Sequence, residues 1–211
     1  MDLIVATFRA LANPVRLRLL LLVHSEPGIT VHALAERAKI LDHAASRHLK
    51  VLAEYRLVHT AASGRYVECF PAREGSTSNA FLRDVQRLLR RLLGGEDLNR
   101  TPSKVCDLVE ASERTWDAVF AALMKQFTAY THLRRLMMVR HLALHRPCGM
   151  ADLVSGIGMS EDACRRHLDK LERRYLARQA GRGGDWELIK ADHRTMRGIL
   201  LGIVLDGLDV Q

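Results

Sequence analysis

The sequence of 211 residues is poor in aromatic residues and prolines, and it lacks a long apolar segment. Aromatics make up 5% of the chain and there are 5 prolines, whereas Leu, Ala and Arg are frequent, which favours helices over a β-sandwich or barrel. The longest apolar run, residues 199–205, is far short of the roughly 20 residues that span a bilayer. No basic and apolar leader with a cleavage site is recognisable, so we expect no signal peptide, no membrane association and a cytoplasmic location.

Closely spaced cysteines are also missing. The four cysteines are scattered without a C-x-x-C pair and are expected to be reduced thiols: Cys69, Cys106, Cys148 and Cys164. Cys69 and Cys106 are the candidates for redox sensing, but no neighbouring residue marks either as reactive. His141 and His145 could share a helix face, yet without a nearby cysteine or carboxylate this spacing is more typical of surface or packing positions. We predict no metal site and no cofactor.

Sequence signatures of catalysis are absent as well. The chain has no G-x-S-x-G, no phosphate-binding glycine loop, no H-E-x-x-H and no deaminase motif, so we predict that it is not an enzyme.

The net charge, in contrast, indicates a kind of partner. Lys and Arg number 32 against 24 Asp and Glu, a net charge of +8, which favours an anionic partner, with nucleic acid ahead of a membrane surface.

The chain aligns with itself. Residues 8–70 pair with residues 127–189 without a gap, and the identical pairs include Phe8 with Phe127 and Gly64 with Gly183. An Arg-His-Leu triplet also matches, at residues 47–49 and 166–168. This pattern indicates two copies of one structural unit.

The pattern of the first copy predicts a winged helix-turn-helix. Helices are expected over 3–12 and, opened by Pro14, over 14–24. Thr30 is expected to cap a helix over 31–38, and after a tight turn Asp42 to cap a third helix that ends near residue 55. Residues 57–61 and 66–70 alternate as the two strands of a wing around a turn at 62–65, and an amphipathic helix over 78–93 closes the copy.

The second copy predicts the same order. Helices are expected over 116–130, 133–145, 150–156 and 161–175, followed by strands 176–180 and 185–189 around a glycine-rich turn. The closing helix over 192–208 is unusually apolar, so we expect it to lie in an interface within the chain or between chains. The predicted fold is mostly α with small β-hairpins: two tandem winged helix-turn-helix domains, 1–93 and 104–211, each with flanking opening and closing helices, joined by a linker at 94–103.

Two segments carry a family resemblance: FRALANPVRLRLL at residues 8–20 and SRHLKVL at residues 46–52. Both resemble the arsenic-repressor (ArsR) family of bacterial winged-helix regulators. The resemblance covers about residues 3–93 and reaches the second copy only through the repeat. The resemblance implies a DNA-binding repressor that dimerises through its first and last helices. Two features depart from the family. Paired metal-binding cysteines are absent from residues 31–39, and Arg56 replaces the glycine that usually follows the recognition helix, which predicts a different exit turn.

The predicted recognition helix, Asp42–Glu54, has Leu49 and Leu52 on its core side, with Ala44 close by. Its candidate DNA-contacting residues are His43, Ser46, Arg47, His48 and Lys50. Arg47 could bind guanine or phosphate, Lys50 suits phosphate, and His48 could contact DNA or pack. At the wing tip, Arg65 could enter a minor groove or touch phosphate.

The candidates of the second copy are Arg165, Arg166, Lys170 and Arg182. Asp169 stands where the first copy has Lys50, and Arg165 where it has Ser46, so we expect different base preferences or mainly phosphate contacts.

These features predict a double-stranded DNA-binding transcriptional regulator, a repressor by resemblance, whose copies form an intrachain pseudo-dimer or whose chains form a homodimer through the opening and closing helices. Three alternatives stay open at this point. They are a solvated basic face without function, a winged-helix protein-interaction module, and a ligand-responsive sensor with an effector pocket between the copies.

Overall fold

A computed structural model describes residues 1–73, 75–103, 107–180, 184–190 and 192–210. The chain forms two compact units, one of Met1–Phe8 with Lys125–Gln211 and the other of Arg9–Met124. The segment 94–103 belongs to the second of these units. The predicted domains, 1–93 and 104–211, were drawn from the sequence repeat, whereas these two units are defined by their compactness. The predicted bounds therefore stay a prediction.

The helices and strands of the described residues follow one another in a repeated order. In chain order they are α1 (Asp2–Leu11), α2 (Pro14–Ser25), β1 (Ile29–Thr30), α3 (Val31–Ala38), α4 (Asp42–Glu54), β2 (Val58–Ser63), β3 (Tyr66–Pro71), α5 (Ala80–Leu93), a 3₁₀ turn (Ala111–Glu113), α6 (Trp116–Phe127), α7 (Leu133–Leu144), α8 (Met150–Ile157), α9 (Glu161–Glu172), β4 (Ala177–Ala180), β5 (Asp185–Leu188) and α10 (Met196–Gly207). The described part is therefore mostly helical with small antiparallel sheets.

Side-chain caps fix the starts of α2, α3 and α5 in the unit Arg9–Met124. The Asn13 side chain accepts from the Arg16 N–H at 3.0 Å before Pro14, and Thr30 accepts from the Ala33 N–H at 3.2 Å. α5 begins at Ala80, slightly later than predicted, because Asn79 caps it. The start of α4 differs from expectation: Leu41 is its N-cap residue without a side-chain bond, and Asp42 lies in the first turn.

A three-stranded antiparallel sheet of order β1-β3-β2 follows α4. The hairpin register pairs Thr60 with Cys69 and Ser63 with Tyr66, so only Gly64 and Arg65 form the turn. The short strand β1, which the sequence pattern did not predict, pairs Ile29 with Cys69. Leu17, Leu34, Leu52, Leu57 and Cys69 are fully buried and form the core under this sheet and α2–α4.

The chain leaves α4 through a left-handed residue. Arg56 has φ 55°, and the Leu57 N–H donates to the Leu52 carbonyl at 2.9 Å, which is the hydrogen-bonding pattern of a Schellman motif. The expectation of a different exit turn is wrong, since the left-handed turn forms here without glycine. Tyr175, which follows α9, has the same φ of 55° and the same bond, from Leu176 to Leu171 at 3.0 Å.

The unit of Met1–Phe8 with Lys125–Gln211 repeats the element starts of the other unit. α7, α8, α9, β4 and β5 each begin 119 residues after α2, α3, α4, β2 and β3. The rings of Phe8, Phe127 and Tyr130 meet in its core, with centroids 5.0–5.6 Å apart for Phe8 and its two neighbours. α10 begins later than predicted because Thr195 caps it, accepting from the Gly198 N–H at 3.0 Å. Its apolar side chains Leu200, Leu201, Ile203 and Val204 are buried.

No helix within the described residues is both long and apolar enough to cross a lipid bilayer.

Candidate nucleic-acid interface

The helix α4 has one buried and one exposed face. Ala45, Leu49 and Leu52 are buried, so the residue nearest the core is Ala45 and not Ala44, which is half-buried. Four of the five predicted contact residues lie on the exposed face: His43, Ser46, Arg47 and Lys50. The spacing of the apolar residues fixes which side faces the core, and the polar set points to solvent as a consequence.

His48 is the exception among the predicted residues of α4. Its side chain is half-buried, and burial together with Arg16 and Arg47 lowers the pKa of its imidazole. The lowered pKa disfavours the charged imidazolium, so the ring adds little positive charge to the exposed face.

The start of α4 is tied to the start of α3. His32 and Asp42 approach with 3.0 Å between Nδ1 and Oδ2. The hydrogen bond to Asp42 and the negative charge of its carboxylate raise the pKa of His32. Leu41 just before α4 is 67% exposed, an unusual place for a large apolar side chain. Neither His32 nor Leu41 stood out in the sequence, because a lone histidine or leucine in a turn carries no periodic signal.

The wing tip presents an arginine and an aromatic ring together. The Arg65 guanidinium lies 4.9 Å from the centroid of the Tyr66 ring, and Tyr66 and Val67 are 48% and 44% exposed. An exposed cation–π pair of this kind is weakly stabilising. Tyr66 was missed as a site residue, although its place next to the turn arginine in a two-residue hairpin was the available signal.

A cleft of about 530 Å³ separates α4 from the wing. Of the predicted residues, the structure brings Ser46, Lys50 and Arg65 to this cleft, where they are joined by Tyr66. His43 and Arg47 do not line it. The unit Arg9–Met124 thus has two groups of candidate residues, one around the cleft and one on the open face of α4.

The helix α9 also buries one face, through Cys164, Leu168 and Leu171. Arg166 and Lys170 are exposed, whereas Arg165 forms an ion pair with Glu161 one turn earlier, with Nε 3.1 Å from Oε1. Arg182 lies outside the described residues. Exposed pairs of this kind contribute only a few tenths of a kcal/mol, so Arg165 can exchange its partner for another anion at small cost.

His167 of α9 is half-buried, as His48 is on α4. Burial, followed by the charges of His132, Arg135, Lys170 and Arg166, lowers its pKa to about 4. Its ring lies 4.7 Å from that of His132, and its Nδ1 is buried without a hydrogen-bond partner.

The remaining histidines and thiols form no metal site in the described part of the chain, where no group of three or more potential ligands is arranged for one. The rings of His141 and His145 are 4.6 Å apart, and His141 packs closely over Gly156. Cys69, Cys148 and Cys164 are buried thiols, and burial raises the pKa of Cys69 to about 11. Cys106 lies outside the described residues.

Comparison with known protein families shows a match over part of the chain. The sequence pattern of a family described as a helix-turn-helix domain matches residues 11–61, which run from the end of α1 through α2, α3 and α4 into β2. The chain contains a helix-turn-helix domain. No curated protein and no solved structure matches the chain.

Proposed function

We propose that the protein is a double-stranded DNA-binding transcriptional regulator that places α4 in a major groove, with the wing on the flanking backbone. The observation that carries this proposal is the exposed polar face of α4, the helix that follows the turn of the helix-turn-helix. Ser46 and Arg47 lie in its N-terminal half, where a recognition helix contacts base edges, and Lys50 one turn later suits a phosphate. Arg65, which lies over the Tyr66 ring, is suited to the minor groove or the backbone. By resemblance the regulator is a repressor.

We further propose that the unit of Met1–Phe8 with Lys125–Gln211 carries a second winged helix-turn-helix. Supporting this are the five elements that begin 119 residues after their counterparts and the left-handed exit at Tyr175. Its exposed face differs, with Arg166 and Lys170 free of described ion pairs, Arg165 paired with Glu161, and Asp169 in place of Lys50. This face suits phosphate contacts more than base contacts.

A salt series with labelled duplex DNA tests both proposals. We expect wild-type binding to weaken steeply with salt, because each phosphate contact adds about −0.9 to the slope of log K against log salt. Arg47→Ala/Arg65→Ala should lower the affinity about ten- to hundredfold and flatten the slope. Arg83→Ala/Arg91→Ala, which removes the same charge from the exposed side of α5, is the matched control and should change little.

Arg166→Ala/Lys170→Ala asks the same question of α9. A flatter slope with unchanged sequence preference would support phosphate contacts by this helix. Absence of wild-type binding at low salt, where the phosphate contribution is largest, would refute the DNA-binding proposal.

The pairing of opening and closing helices is proposed within one chain. The apolar closing helix α10 and the repeated element order support this pairing. Light scattering should then give the mass of one chain, whereas an obligate dimer would assign the pairing to two chains.

A further inference from the structure

A basic cleft lies in the unit Arg9–Met124, and its lining includes no residue of α4 or the wing. It has a volume of about 470 Å³, within the range of small-molecule sites. Five cationic side chains line it, together with the single carboxylate Asp117: Arg18, Arg37, Lys39, Arg100 and Arg114. They come from α2, from the end of α3 and from two segments far along the chain, so only the fold brings them together.

Not all of this charge is neutralised by neighbours. Arg18 Nη2 donates to Asp117 Oδ1 at 3.0 Å, Arg37 pairs with Glu26, and Arg100 Nε lies 3.9 Å from Asp97 Oδ2. Within the described part of the chain, Lys39 and Arg114 have no ion-pair partner. The lining thus keeps an excess of positive charge.

Two guanidinium groups of the lining also have unused donors. The Nε atoms of Arg18 and Arg114 are buried and have no hydrogen-bond partner. Buried N–H groups are nearly always paired, and a guanidinium fork matches the oxygens of phosphate or carboxylate. Unused donors beside uncompensated positive charge are typical of a site that receives an anion.

Hydrogen bonds fix the segment 94–103 and Trp116, which form one wall of the cleft. Glu96 is 5% exposed and accepts from the Ser103 N–H at 3.1 Å, while the Trp116 indole N–H donates to the Asp97 carbonyl at 2.8 Å. Asn99 adds an amide to the lining. A wall held by buried polar contacts supplies a preformed shape, which lowers the entropic cost of binding.

We propose that this cleft binds a small polyvalent anion, one that bears phosphate groups or several carboxylates. Arg37 and Lys39 would contact it from the end of α3, at the turn that leads into α4. The proposal does not depend on DNA binding, because the ligand and the contacts are separate from α4 and the wing.

The fluorescence of Trp116 provides the test. The chain has 2 tryptophans, so in Trp186→Phe the signal comes from Trp116 alone. Pyrophosphate, and citrate in a parallel series, are titrated at constant ionic strength. We expect a saturable change, and the tighter of the two probes identifies the anionic group.

Lys39→Gln/Arg114→Gln, made in the same background, should weaken binding about ten- to hundredfold, as the loss of charge-assisted hydrogen bonds predicts. Arg83→Gln/Arg91→Gln removes the same charge outside the cleft and should bind like the parent. Thermal melting shows that each variant folds, and the anion should raise Tm in the parent and control only.

Two results would overturn the proposal. The first is no saturable response to either anion. If the Lys39→Gln/Arg114→Gln variant then also loses affinity for duplex DNA, the cleft is a contact for the DNA backbone. The second is equal binding by both double variants.

Discussion

Replacing Arg56 by glycine should stabilise the protein, because Arg56 follows α4 in the left-handed conformation, φ 55°. This conformation costs a residue with a Cβ about 1–2 kcal/mol, and glycine avoids the cost. Glycine also makes the unfolded chain more flexible, which offsets about 0.4–1 kcal/mol. The expected net gain is about 0.5–1 kcal/mol in the free energy of unfolding, or about 1–4 °C in Tm for a chain of this length.

The contacts around Arg56 allow a clean experiment. The side chain is exposed, and the backbone carbonyl accepts from Gln86 Nε2 at 2.6 Å, a bond that glycine keeps. Arg56→Ala is the matched control, since alanine removes the side chain and retains the strain. Urea unfolding followed by circular dichroism measures both variants. The reasoning is refuted if Arg56→Gly is no more stable than Arg56→Ala.

Tyr175 extends the comparison to the turn after α9. It shares the backbone conformation, but its ring lies 4.8 Å from the Arg197 guanidinium carbon. Tyr175→Gly therefore loses an exposed cation–π contact, worth about 0.5–1 kcal/mol, while relieving the strain. The two contributions should nearly cancel, and a gain equal to that of Arg56→Gly would show that the ring contact contributes nothing.

Three further predictions concern other elements. Burial, with a smaller contribution from Arg90, lowers the pKa of His24 from 6.5 to about 4, so the unfolded state binds more protons between these values. Stability should therefore fall as pH drops from 6.5 towards 4, and urea midpoints at both pH values should show a smaller loss in His24→Gln. At the end of α8, Gly158 has φ 67° with open space where a Cβ would lie, so Gly158→Ala should cost about 1 kcal/mol from backbone strain alone. Lys39 takes this conformation at the end of α3, so Lys39→Gly should raise the free energy of unfolding by about 0.5 kcal/mol or more. Thermal melts of both variants check that the two changes have opposite signs.

Local signals explain which parts of the fold were predictable. α3 has the predicted bounds because Thr30 supplies a cap and the apolar spacing continues to the left-handed Lys39. The wing was predictable because two alternating runs flank a glycine turn. Asp42 misled the prediction, since an acidic residue suits both the N-cap and the first turn, and here it interacts with His32 across the turn.

Tertiary contacts explain what the sequence could not show. The turn at Arg56 has no glycine, so nothing local marks its left-handed conformation. The segment 94–103 has the composition of a linker, yet buried Glu96 and its bonds to Ser103 fix it in a compact unit. The anion cleft was missed because its cations are spread from Arg18 to Arg114, and no window of sequence contains them together.

The two units keep corresponding backbone features while their exposed residues differ. The left-handed residues Lys39 and Gly158 end α3 and α8, and the exits after α4 and α9 share one geometry. On the exposed faces, in contrast, a lysine at position 50 corresponds to an aspartate at position 169. A frame held by buried leucines and turn geometry tolerates such exchanges, because exposed substitutions cost little stability. If both faces contact DNA, they therefore present different donors, and a single chain would select a target without two-fold symmetry. Selection of duplexes from a random pool should yield non-palindromic sites, and a palindromic consensus would instead require two copies of the same helix.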